Sequence, residues 1–112
     1  GKDQSSLMDK RVMYIREQPV ADYEMKSYGT KTYGEALDDY CTNEKWDSFV
    51  TELDEEVVEF TGTAYYKGSE KQVTIQFLIT GDCESYDLTY FAFDGTACNW
   101  QQVDAFYKTI CK

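Results

Sequence analysis

The chain has no histidine, a single proline (Pro19), and only 11 basic residues against 21 acidic ones among 112. Each scarcity excludes something. Without histidine there is no imidazole proton shuttle near neutral pH, no serine or cysteine triad that depends on one, and no histidine-containing metal site. The net charge of −10 and pI near 4.3 argue against electrostatic binding of DNA, RNA or an anionic membrane, which needs clustered Lys and Arg. No stretch approaches the roughly 18 consecutive apolar residues of a membrane span. There is no Asn-x-Ser/Thr acceptor, since Asn43 precedes Glu-Lys and Asn99 precedes Trp-Gln. P-loop, G-x-G-x-x-G, S-x-x-K and G-x-S-x-G patterns are also missing.

Aromatic side chains are abundant: ten Tyr, six Phe and two Trp, within 42% apolar content. Disordered acidic chains lack such residues, and the length suits one core. The polar start, Gly1-Lys2-Asp3-Gln4-Ser5-Ser6, reads as a tether or an expression scar of a mature exported domain whose targeting segment has been removed. Leu7, Met8, Val12 and Ile15 with Arg11 and Arg16 fit either a short amphipathic helix ending before Pro19 or a first strand. The expected organisation is residues 1–19 as tether, short helix or strand, and residues 20–112 as a single α+β domain.

Residues 20–31 suggest a short extended piece and a turn. Thr32-Tyr33-Gly34-Glu35 matches a capping box, in which the Thr hydroxyl and Glu carboxylate satisfy free N–H groups at a helix start. Ala36, Leu37, Tyr40 and Cys41 form its apolar stripe, and Trp46, Phe49 and Val50 continue that face. Three strands follow. Val57–Tyr66 places Val58, Phe60, Gly62, Ala64 and Tyr66 on one side. Gln72–Thr80 turns Val73, Ile75, Phe77 and Ile79 inward. Tyr86–Asp94 is expected to carry Leu88, Tyr90 and Ala92 on one face and Thr89, Phe91 and Phe93 on the other. Lys67–Glu70 and Gly81–Ser85 are the turns. A last helix starts at the N-cap Asn99, with Gln102 as its partner and Trp100, Val103, Phe106, Tyr107 and Ile110 as its buried stripe. The expected fold is α+β: a three-stranded antiparallel meander with a preceding and a following helix packed on one face. The N-terminal segment 7–28 is the candidate cover for the other face.

The cysteines stand at 41, 83, 98 and 111 with no C-x-x-C pair, which disfavours a Cys₄ zinc site. Two disulfides fit an even count in a small domain; four buried reduced thiols are the plainer alternative. Cys98 and Cys111 flank the last helix and would lie about 20 Å apart, beyond the roughly 7 Å that bridged Cα atoms tolerate. Cys83 and Cys98 bracket a strand of roughly 30 Å. The pairing left is Cys83–Cys111 with Cys41–Cys98, each bridge contributing about 2–4 kcal/mol.

Residues 30–111 resemble a family at this point. Thr32-Tyr33-Gly34-Glu35-Ala36-Leu37-Asp38, Trp46, Val57-Val58-Glu59-Phe60-Thr61-Gly62 and Val73-Thr74-Ile75-Gln76-Phe77 follow one another in an order similar to that of small uncharacterised bacterial domains. Those domains sit outside the cytoplasmic membrane, often behind a lipid or transmembrane anchor. The likeness spans roughly three quarters of the chain and its cysteines are not part of the pattern. It implies an extracytoplasmic location, anchored in the full-length precursor, and no catalytic residues.

Carboxylates are the abundant reactive groups: Asp38-Asp39, Asp54-Glu55-Glu56, and Asp82, Glu84 and Asp87 around one turn. A glycosidase-like pair and a calcium loop at 82–87 are the chemical readings of these clusters, against the plainer reading of solvated acidic surface. The other sheet face is the more informative feature. Tyr65, Phe91 and Phe93 among Thr63, Gln76 and other polar residues form a candidate interaction surface, as an aromatic patch with a polar rim does. Its alternative is burial under the N-terminal segment. The expected function is a non-enzymatic extracytoplasmic binding or protein-interaction module, with a small carboxylate-dependent hydrolase or an inert envelope spacer as alternatives. No cofactor and no metal are expected. The expected partner is a protein at the cell envelope, not a nucleic acid, and the chain itself does not span the membrane.

Overall fold

A computed structural model describes residues 10–22 and 24–112; the expected apolar positions Leu7, Met8 and Tyr23 lie outside the described residues. The elements are α1 (Lys10–Arg16), β1 (Pro19–Ala21), β2 (Ser27–Thr32), α2 (Tyr33–Tyr40), β3 (Cys41–Val50), β4 (Glu56–Tyr66), β5 (Ser69–Thr80), β6 (Ser85–Phe93), β7 (Thr96–Ala97) and α3 (Trp100–Ile110). β3 to β7 form one five-stranded sheet in that spatial order, and β1 pairs with β2 as a separate two-stranded sheet. All pairings are antiparallel. The class is therefore α+β. Among the described residues no helix is long and apolar enough to cross a membrane.

The three expected strands are β4, β5 and β6, the middle of a larger sheet than the meander expected. β3 and β7 are corrections. β3 lies where Trp46, Phe49 and Val50 were expected to continue a helix. α2 stops at Tyr40 because Cys41 takes extended backbone (φ −106, ψ 159). The chain then pairs with β4 from Cys41 opposite Ala64 to Val50 opposite Glu56, with an irregularity between Thr42 and Lys45. Trp46 packs on Phe60, ring centroids 5.0 Å apart, while Phe49 and Val50 are exposed. The apparent helical spacing came from one half-buried residue and two surface ones on an edge strand. β7 is only two residues long, joined to β6 by Asp94-Gly95, both at positive φ (52 and 82), as in a tight hairpin turn.

Both capping boxes form. The Thr32 hydroxyl accepts from the Glu35 backbone N–H at 3.2 Å and the Glu35 carboxylate accepts from the Thr32 N–H at 3.0 Å. Asn99 and Gln102 repeat the exchange at 2.9 and 2.8 Å. Residues 10–16 are helical, with Val12 and Ile15 buried three apart. α1 joins the same core as α2, α3 and the inward sheet residues. It is thus packed into the domain on the helical side and is not the cover expected for the opposite face. Arg16 ties it there: its guanidinium donates twice to Asp38 of α2, at 3.2 and 2.7 Å, and lies over the Trp46 ring, 5.4 Å from the centroid.

One irregularity reorganises the third expected strand. Gln76 pairs with Tyr90, yet the next residue of β5, Phe77, pairs with Leu88. Thr89 is an extra residue, a β-bulge, with its hydroxyl donating to the Gln76 carbonyl at 3.2 Å. A one-residue slip swaps the faces of every side chain beyond it. Tyr86 and Leu88 face inward before the bulge, opposite Ile79 and Phe77; Phe91 and Phe93 face inward after it, opposite Ile75 and Val73. The expectation that Phe91 and Phe93 stand on the outer face is thereby corrected. Both pack on Phe106 of α3, at 5.6 and 5.4 Å between ring centroids. The core also needs Gly62: a Cβ there would stand 2.9 Å from the Phe60 ring and 3.4 Å from the Cys41 Cβ.

Candidate functional site

β7 pairs with β6 only at Ala92 and Phe93, after which the Cys98 N–H donates to the Phe91 carbonyl at 2.8 Å. The chain then leaves the sheet for α3. From Ser85 to Tyr90, no strand pairs with the outer edge of β6 among the described residues. A cleft of about 310 Å³ opens beside this edge. Tyr33, Phe91 and Val103, all buried, line it together with Leu88 and Trp100; Asp22, Met25 and Asp87 supply further lining. Among the described residues no Lys or Arg lines it.

Each wall has a local cause. The β1–β2 loop is folded by Asp22, whose Oδ1 accepts from the Glu24 and Lys26 backbone N–H groups at 2.8 and 2.9 Å. That turn holds Met25 at φ 65, an uncommon conformation for a residue with a side chain, and leaves it exposed. Trp100 is placed by the Asn99 cap, one residue into α3. The floor is stiffened from behind. The Tyr33 and Tyr107 hydroxyls are hydrogen-bonded, 3.1 Å apart, and the Tyr33 hydroxyl donates to the Ala21 carbonyl at 3.4 Å. Burial pushes the pKa of both phenols up. The Tyr28 hydroxyl donates to Asp104, and that bond, with one from Lys108, holds the Asp104 carboxyl below its ordinary range.

The expected interaction surface is only partly assembled. Tyr65 is 67% exposed. Thr63 and Gln76 share its face, half-buried, with Gln76 donating to Glu59 at 2.8 Å and Thr63 donating to the Gln72 side chain at 3.4 Å. Phe91 and Phe93 are on the opposite, core side. Phe49, Val50 and Leu53 are exposed together at the β3–β4 end. The cleft residues Met25, Tyr33, Leu88, Trp100 and Val103 were not singled out as a site from the sequence, because they come from four separate stretches. The one available signal was an aromatic residue directly behind a helix cap.

Several residues of the acidic clusters serve local tasks, while Asp54, Glu55 and Glu56 stay side by side at the start of β4. Asp38 binds Arg16, Asp39 pairs with Lys31 at 3.8 Å, and Asp82 pairs with Lys10 at 2.7 Å. Glu84 folds against Gly81, where an added Cβ would meet its carboxylate. Among the described residues no group of three or more Cys, Asp or Glu side chains gathers to hold a metal ion.

Neither expected disulfide is present; all four cysteines are free thiols. Cys41 begins β3, one edge of the sheet, and Cys98 follows β7, the other. Four strand spacings of about 4.8 Å separate them by about 19 Å, well beyond bridging distance. Cys83 lies among Lys10, Arg11 and Glu56, whereas Cys111 lies beside Tyr28 and Lys31 of β2. α3 thus returns to β2 and not to the start of β6. Burial pushes all four thiol pKa values up, that of Cys41 to about 12, with Glu44 and Asp38 adding to it. Since the thiolate is the reactive form, iodoacetamide at neutral pH is expected to modify Cys41 at least about tenfold more slowly than Cys83. Peptide mass spectrometry over time checks this; equal rates at the two positions would mean that Cys41 is not sealed in the core.

Comparison of the chain with protein-family models, with curated proteins and with solved structures finds no match.

Proposed function

We propose that the protein is a non-enzymatic binding module that works outside the cytoplasmic membrane, at the cell envelope, and takes its ligand in the cleft beside β6. The observation that carries this reading is the cleft itself: a concavity of about 310 Å³ with an aromatic and aliphatic floor and two carboxylates in its lining. Ligand sites are commonly concave and mostly apolar with a few placed polar groups. The extracytoplasmic setting rests on the resemblance of residues 30–111 to envelope domains. A carboxylate hydrolase is the less favoured reading, because Asp22, one of the two acids in the cleft, has an oxygen engaged by two backbone N–H groups that shape its loop. An inert spacer gives no reason for Met25 to be held at positive φ over an apolar floor.

The test is a resonance titration of the isotope-labelled protein with a library of small fragments and short peptides. Ligands are expected to shift the amides of Met25, Leu88, Thr89 and the Trp100 indole. Trp100→Ala, at a half-buried position, is expected to weaken them about tenfold, as removal of an aromatic anchor does. Hits confined to the face around Tyr65, or no hits at all, would remove the cleft from consideration.

A further inference from the structure

We infer that the ligand of the cleft is an extended, cationic segment of a partner protein, added as an extra strand along the free edge of β6. The inference rests on the cleft being the binding site and names what fills it. Its first support is the backbone. β6 presents Ser85–Tyr90 without a neighbouring strand on its outer side among the described residues, and an edge strand is a template for another chain. The second support is a contrast between the two edges of the same sheet. β3 carries Glu44, Lys45 and Asp47 along its exposed length; charges of this kind guard an edge against pairing. The β6 edge from Ser85 to Tyr90 has one charged residue, Asp87.

The third support is the groove alongside. A strand's side chains alternate between its two faces, so a partner strand lying on this edge would present every second residue to Leu88, Met25, Trp100 and Val103. Thr89, the bulge residue, limits regular pairing to Ser85–Leu88. The fourth is charge. Asp22 and Asp87 border the groove, no Lys or Arg among the described residues lines it, and the chain as a whole carries −10. An acidic peptide would meet repulsion on approach, and a basic one would be steered in.

The probe is a blocked peptide of alternating Val and Lys, about eight residues long, enough to span Ser85–Tyr90 at about 3.3 Å per residue. Two control peptides carry N-methyl groups on the alternate amides of one register or of the other, and a third has Glu for Lys. Strand addition predicts that one N-methylated peptide loses at least about tenfold in affinity while the other binds like the parent, because only one set of amides faces the protein. It also predicts slowed hydrogen exchange within Ser85–Leu88 on binding, and no binding of the Glu peptide. Asp87→Lys, at an exposed position, should weaken the parent peptide about threefold or more at low salt and less at high salt. If both N-methylated peptides bind equally well at the cleft, strand addition is wrong and the cleft remains a binding site. If no peptide binds while fragments shift the cleft resonances, the inference alone falls. If neither binds, both fall. Concentration-dependent dimers with the same protection and no peptide would assign the edge to a second copy, which also overturns it.

Discussion

Raising the pH from 10.0 to about 12 is expected to remove roughly 2 kcal/mol of stability through Tyr86 alone. Burial, reinforced by Tyr14, pushes its phenol from the ordinary 10.0 up to about 12. Below the ordinary value both folded and unfolded chains keep the proton, and the fold has its full stability. Above it the unfolded chain ionises while the folded chain does not, so stability falls as the pH rises toward the folded value. Tyr33 and Tyr107, both buried and both shifted upward first by burial, act in the same direction over a window reaching higher still. Alkaline unfolding should therefore be steep and coincide with the appearance of tyrosinate absorbance. Denaturant unfolding at the two ends of the window measures it, and Tyr86→Phe should flatten the dependence by about its own share. A stability that stays level across the window would show that these hydroxyls reach water in the folded state.

The second large effect is expected at Phe106. It is fully buried and meets four rings: Tyr40 at 5.8 Å, Tyr66 at 5.1 Å, Phe91 at 5.6 Å and Phe93 at 5.4 Å, every one steeply inclined. Phe106→Ala removes those contacts and leaves a cavity that four rigid side chains cannot easily fill. The expected loss is about 3–5 kcal/mol. Phe106→Leu, which keeps most of the volume, should cost clearly less. Urea unfolding checks both. A loss below about 1 kcal/mol for the alanine variant would mean that the helix does not close over the second half of β6 as described. Because Phe91 belongs to both the ring cluster and the cleft floor, the alanine variant should also loosen the proposed binding site.

Elements with strict periodicity were legible before the structure: β4 and β5 from their alternation, α2 and α3 from Thr32/Glu35 and Asn99/Gln102. β6 was legible as a strand but not in its phase. Tyr86, Leu88, Tyr90, Phe91, Ala92 and Phe93 are apolar nearly without interruption, so the pattern fits either face, and only the pairing of Gln76 and Phe77 across the bulge decides. β3 was illegible because an edge strand leaves apolar residues outside and need not alternate. The thiol pairing went astray on one assumption, that α3 returns to the start of β6, and on placing Cys41 on a helix when it begins a strand. The cleft was the least legible part, since it exists only where the Asp22 turn, the unpaired half of β6 and the first turn of α3 meet.

The order of the large sheet has a kinetic consequence. Each of its strands pairs with its neighbour along the chain, across connections of five residues between β3 and β4, two between β4 and β5, four between β5 and β6 and two between β6 and β7. Loops this short close at little entropic cost, so the sheet can assemble one hairpin after another without searching for distant partners, a topology associated with rapid folding. α1 is the exception. The surface it docks on is built from α2, β3 and β4, and its Lys10 is tied to Asp82 at the far turn. α1, the first of the described helices in chain order, is therefore expected to be the last of them to find its place.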